Sequence, residues 1–128
     1  MEKKYEFLNK IKDVLSDGTF EGVSIGSVFD ESSFEGIKII DDTGYPIYLF
    51  NNLELEIVDD YIYRIGIRYD ELVFIDDVEE VFGEGELNTI EQFTFLSYAC
   101  DFCVIVFKFV GLDDHVMDIS INSTMFMG

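Results

Sequence analysis

Between Asn51 and Asp70 the sequence reads NNLELEIVDDYIYRIGIRYD, two runs of alternating apolar and polar residues split by an Asp pair. A period of two puts Leu53, Leu55 and Ile57 on one side of an extended chain and Glu54 and Glu56 on the other, which no helix can do. Such strands need a core on one face and water on the other, so the chain is committed to an antiparallel sheet with one wet face. In the second run Ile62, Arg64 and Gly66 share one parity, and Tyr61, Tyr63, Ile65 and Ile67 share the other. Upstream, IKII, the turn-forming DDTG and YPIYLF predict a further hairpin, with Pro46 near the start of its second strand, where a missing N–H is tolerated. Four antiparallel strands in a meander are expected.

Helical spacing appears at the start of the chain. Phe7, Leu8, Ile11, Val14 and Leu15 predict an amphipathic helix over residues 2–16, with Gly18 as its stop. Its outer face holds Lys3, Lys4, Lys10 and Lys12, half of the 8 Lys and Arg in the chain, which directs a partner elsewhere. Residues 19–36 read as a short strand or turn and then a short helix over Ser27–Phe34. ELVFI (71–75) is a candidate fifth strand, and IDDVEEVFGEGELN an acidic helix turn or loop broken by Gly83 and Gly85. Asn88 or Thr89 can cap a second helix over Ile90–Ala99, with Glu91 in its first turn. FCVIVFKFV and HVMDISIN are closing strands joined by GLDD, ahead of a short apolar tail, STMFMG. The expected fold is α+β: an antiparallel sheet, a meander of about five to seven strands, with two main helices packed on one face, in a single domain over residues 1–128. Residues 27–68 and 86–122 each read as helix followed by hairpin strands, an echo without sequence self-similarity and so read as coincidence.

Composition narrows function more than fold. Apolar residues make up 48% of the 128 and aromatics 16%, enough to bury one core and too much for a disordered acidic chain. The 27 Asp and Glu against 8 Lys and Arg give a net charge of -19. A folded body this anionic repels nucleic acid and anionic membranes and draws in a basic protein, whose association it accelerates. No apolar run reaches the ~20 residues of a membrane-spanning helix, and MEKKYEFLNK has no apolar signal segment behind its charges. A cytoplasmic protein, a monomer or weak dimer when free, is expected, with Cys100 and Cys103 kept as thiols.

Between Tyr69 and Phe107 there is no Lys or Arg, whereas Asp70, Glu71, Asp76, Asp77, Glu79, Glu80, Glu84, Glu86, Glu91 and Asp101 all fall there. With Asp59 and Asp60 in the preceding turn, and Tyr61, Tyr63 and Tyr69 as aromatic anchors, Asp70 to Glu86 is the expected partner-binding region. Its carboxylates could instead hold Ca²⁺, but no window supplies the alternating ligands, the sixth-position Gly and the twelfth-position Glu of an EF-hand loop. Cys100-x-x-Cys103 lacks two further zinc ligands, the one His being His115, and a redox dithiol would normally open a helix. Core packing accounts for the pair better. His115 has no nucleophile motif near it, GEGE and GSVFDESSFEG lack the Lys of a phosphate loop, and the carboxylates have no evident sugar cleft. No metal, cofactor or catalytic group is expected, and the chain is read as a binder rather than an enzyme.

Two stretches, GVSIGSVFDESSFEGIKIIDDTGYPIYLFNNLELEIVDDYIYRIGI and ELNTIEQFTFLSYACD, about half the chain, resemble the immunity proteins of bacterial contact-dependent inhibition and other polymorphic toxin systems. The resemblance implies a small acidic cytoplasmic protein that neutralises a cognate basic toxin domain, commonly a nuclease, with carboxylates standing in for phosphates. It carries over no binding residue by position. Two other classes share the composition: an acidic type III secretion chaperone, which normally closes with a third helix, and a DNA-mimic inhibitor of a host DNA-binding protein.

Overall fold

A computed structural model describes residues 2–40, 42, 44, 46–69, 71–111 and 115–124. The architecture is α+β, two helices and a large antiparallel sheet. Helix α1 (Glu2–Asp17) buries Leu8, Ile11 and Val14 completely. It stops where Gly18, at φ +73°, returns its N–H to the Val14 carbonyl at 2.8 Å, a left-handed cap that favours glycine. Two short strands, β1 (Thr19–Phe20) and β2 (Val23–Ser24), pair in a tight hairpin. The short helix expected over Ser27–Phe34 shrinks to one 3₁₀ turn, Glu31–Ser33, capped by the Asp30 carboxylate.

Next come β3 (Ile37–Ile40), β4 (Pro46–Phe50), β5 (Leu53–Val58) and β6 (Tyr61–Ile67), the expected meander. Helix α2 (Ile75–Phe82) follows, then a second meander of β7 (Glu86–Ile90), β8 (Phe93–Ala99), β9 (Cys103–Val110) and β10 (Val116–Ser123). The two meanders join through their last strands, β6 against β10, giving the order β3-β4-β5-β6-β10-β9-β8-β7. The echo between the halves is one of topology: α1, with the short β1–β2 hairpin in between, and α2 each precede a four-stranded meander.

Three assignments are corrected. Residues 90–99 form no helix: Glu91 and Gln92 are the turn between β7 and β8, with Glu91 at φ 57°. Ile90, Phe93 and Leu96 fit a helical stripe, yet Thr94, Leu96 and Tyr98 also alternate, and pairing to β9 from Phe93↔Val110 to Ala99↔Val104 decides for strand. ELVFI is no fifth strand: Val73 accepts one hydrogen bond, from Val116 N–H at 2.6 Å, and Ile75 already belongs to α2. The acidic segment after it is a true helix, with Gly83 at φ 86° ending it.

A register shift between Glu56 and Ile57 also reorders β6. The extra residue in β6 rotates Ile62 to the side of Ile65 and Ile67, so Arg64 and Gly66 alone stay opposite, an inversion simple alternation cannot foresee. Leu53, Leu55, Ile65, Ile67, Ile105, Phe107, Ile119 and Ile121 then form one buried cluster with Leu8, Ile11 and Val14 of α1 and Val78 of α2. Phe107 is fully buried and meets Phe82 of α2 edge-on at 5.4 Å. Truncating such a ring costs about 3–5 kcal/mol. Both helices thus lie on one face of the sheet. No helix among the described residues is long and apolar enough to cross a membrane.

Candidate interaction surface

The expected partner-binding residues do not converge. Asp59 and Asp60 form the β5–β6 turn, both at positive φ, and Tyr61 and Tyr63 begin β6 beside them, half-buried. Tyr69 lies past the other end of β6, roughly 20 Å away at strand geometry. Its ring is spent on packing, stacked 3.7 Å from Phe7 at an interplanar angle of 5°. Burial, then the neighbouring Glu71, raises its hydroxyl pKa. Asp70 lies outside the described residues. Asp76, Asp77, Glu79 and Glu80 sit on α2, and Glu84 and Glu86 lead into edge strand β7.

On α2 the carboxylates partly serve the fold. Asp77 accepts a hydrogen bond from the Phe74 N–H at 2.9 Å and pairs with Lys4 at 3.1 Å. Burial alone would raise its carboxyl pKa, yet the Phe74 N–H, Lys4 and the Tyr5 hydroxyl hold it below the usual value. Glu80 accepts the Tyr5 hydroxyl at 3.0 Å and is the leading cause of that tyrosine's rise to about 12. Lys12 donates to the Val81 carbonyl at 3.1 Å, placing a cation at the negative end of a helix whose last turn has no basic residue. Two of the four lysines of α1, Lys4 and Lys12, are thus directed at α2, while Lys10 pairs with Glu21 at 3.4 Å. Asp76, Glu80 and Glu84 remain exposed.

A different surface is better assembled. Residues that pair directly across an antiparallel ladder point to the same side. From Glu54↔Gly66, Glu56↔Arg64, Ser120↔Gly66, Asn122↔Arg64 and Asp118↔Lys108, the face opposite the helices can be followed across the sheet. Along its middle runs an ionic strip. Arg64 bridges Glu56 at 2.9 Å and Asp118 at 3.1 Å, and Arg68 holds Glu54 at 2.6 Å. The Arg64 guanidinium lies over Gly66, where a Cβ would come within 2.9 Å of it.

Apolar lanes flank the strip. On one side Ile37 and Ile39 of β3 pair with Leu49 and Ile47 of β4, and the two β3 residues are 65% and 42% exposed. On the other side β8 and β9 contribute Phe93, Phe95, Val104, Val106 and Val110, with Ile90 of β7 at the edge. Lys108 stands among them, its ammonium 4.2 Å from the Phe93 ring centre and 5.9 Å from that of Phe95. Ile37, Ile39, Ile90 and Val110 are exposed and Phe93, Phe95, Val104 and Val106 half-buried, and apolar side chains gathered on an open face are the kind of feature that marks protein contacts.

The sequence does carry a signal for these lanes. FCVIVFKFV and the β3–β4 hairpin are apolar at both parities, which resembles strands buried on both sides. With helices on one side only, the second parity is left on the open face. Chemically, the surface offers hydrophobic contact flanked by carboxylates that are already oriented. Among the described residues no cluster of three His, Cys, Asp or Glu side chains could hold a metal ion.

Comparison with solved structures gives a similar fold in a DUF4309 family protein, YjgB from Bacillus subtilis subsp. subtilis str. 168. The TM-score is 0.75 at 12% sequence identity, over 96% of this chain and 99% of that one. At that identity the likeness is one of fold. No family model matches the chain, and no curated protein does.

Proposed function

We propose that this protein binds a basic protein domain through the open face of its sheet, and that it does so as the immunity partner of a toxin, neutralising it without catalysis. One observation carries the reading: a helix-free sheet face with two apolar lanes beside an ordered carboxylate strip, on a body of net charge -19. The division of labour follows from range. Net charge acts across about a Debye length of solvent, roughly 8–10 Å, and speeds encounter, whereas Phe93, Phe95, Ile37 and Ile39 act only on contact and lengthen residence. Because Arg64 and Arg68 already fix Glu56, Asp118 and Glu54, little side-chain entropy remains to be lost when these carboxylates meet a partner's Lys or Arg. Acidic residues of α2 add to the field from the other side of the molecule.

The reading is tested by co-expressing the chain with toxin domains encoded beside its gene and scoring growth protection. Isothermal titration then compares the wild type with a Phe95→Ala, Ile39→Ala double variant. Protection by the wild type that fails in the folded variant supports the proposal. Full protection by the variant would remove the open face from the interface, and no complex with any basic domain would end the proposal itself.

A further inference from the structure

Cys100 and Cys103 have no part in the interaction surface, and their setting differs from that expected of a core pair at a helix end. They flank a two-residue turn, Asp101-Phe102, between β8 and β9. The Cys100 N–H donates to the Cys103 carbonyl at 2.9 Å, just beyond the last ladder pair, Ala99↔Val104. Their sulfurs stand 3.4 Å apart. A disulfide needs them about 1.4 Å closer, within reach of small side-chain rotations.

The turn is held from several sides. Thr124 donates its N–H to the Phe102 carbonyl at 3.2 Å and its hydroxyl to the Asp101 carbonyl at 3.1 Å. The Phe102 ring lies over Gly18, where a Cβ would come within 3.1 Å of it. Two thiols kept in contact by fixed backbone behave as one dithiol. Two thiolates alone leave zinc two ligands short, and Cys103 is completely buried, which prevents a second molecule from completing a shared site.

We propose that Cys100 and Cys103 are a reversible thiol–disulfide site that exchanges with small disulfides of the glutathione type. Half-exposed Cys100 is the attacking group. Its thiolate displaces one sulfur of the small disulfide, giving a mixed disulfide and one released thiolate. Cys103 then gives its proton to the small thiolate just released and attacks the Cys100 sulfur as a thiolate, expelling a second small thiolate, which takes up the proton that Cys100 gave up. The balance is one protein dithiol and one small disulfide in, one protein disulfide and two small thiols out. In the dithiol, burial and then Cys100 push the Cys103 thiol up to about 12; burial, the larger cause, persists in the mixed disulfide, so the second step quickens as pH rises. The closed loop spans only four residues and stabilises the fold little through chain entropy, which suits a reversible bond better than a staple.

The test uses the reduced 128-residue chain in oxidised glutathione, quenched with acid, alkylated and weighed intact. Both thiols are expected to vanish together with loss of two hydrogens, reversed by excess reduced glutathione. Cys103→Ser should instead collect a lasting glutathione adduct. Cys100→Ser, a change at a half-exposed position, should leave a buried thiol that reacts at least about tenfold more slowly. A wild-type chain that stays a dithiol, or that stops at the glutathione adduct, would overturn the proposal.

Discussion

Lys4 and Asp77 lie 73 positions apart in the chain and 3.1 Å apart in space, and their pairing fastens the start of α2 to the first turns of α1. Phe74, the residue before α2, has no side-chain acceptor to cap the helix, so Asp77 reaches back to the Phe74 N–H instead. One carboxylate thus serves as both helix cap and interhelical anchor.

Replacing Asp77 by Asn should cost about 1–2 kcal/mol at neutral pH, measured by urea unfolding. Its carboxyl is held below the ordinary value in the folded state. The contribution is therefore complete above the unfolded value, about pH 4, and disappears as pH falls through the lowered one. The gap between wild type and variant should close in acid; a gap that persists would show that Asp77 acts through shape and not charge.

Tyr98 donates its hydroxyl to the Gly83 carbonyl at 2.8 Å and so secures the end of α2. Burial, then Glu79, lifts its pKa to about 12. Tyr98→Phe should destabilise by about 0.5–1.5 kcal/mol. Because the folded value is raised, that contribution is intact below the ordinary tyrosine value and lost as pH climbs through 12. An ultraviolet phenolate titration should lose part of its phase near pH 12 in the variant, the remainder belonging to Tyr5.

Gly36 enters β3 so close to β4 that a Cβ there would overlap the Leu49 carbonyl oxygen and the Phe34 ring. Backbone cannot swing aside as a side chain can. Gly36→Ala should lower stability by about 1–3 kcal/mol and loosen β3 first, visible as faster amide exchange at Ile37 and Ile39. Gly66→Ala is crowded by the movable Arg64 guanidinium and meets Glu54 Cβ only at ordinary contact distance, so it should cost less.

On the proposed interface, Phe95→Ala should weaken binding of the basic partner by about 2 kcal/mol, chiefly through faster dissociation. Asp76→Lys with Glu80→Lys should act the other way, slowing association and flattening its salt dependence while leaving dissociation nearly unchanged. Stopped-flow at several salt concentrations separates the two. An unchanged association rate would take α2 out of the steering field.

The antiparallel meander over Ile37–Ile67, helix α1 and its glycine stop are local facts, each written in a stretch of consecutive residues. Alternation in LELEI and the spacing of Leu8, Ile11 and Val14 leave one conformation able to bury them. Charge, too, is a sum over residues and needs no coordinates. What consecutive residues do not state is which partner a segment meets. Residues 90–99 satisfy a helical stripe and a strand alternation equally, and β9 decided between them. The bulge opposite Glu56 and Ile57 turned Ile62 inward, Lys4 engaged Asp77, and Tyr5 engaged Glu80, which stays exposed. The open face exists because both helices lie on the other side, a long-range packing outcome that leaves the second apolar parity of β3, β4, β8 and β9 in solvent. Local pattern set the pieces and the charge; non-local contact set which carboxylates are free and where the apolar lanes lie.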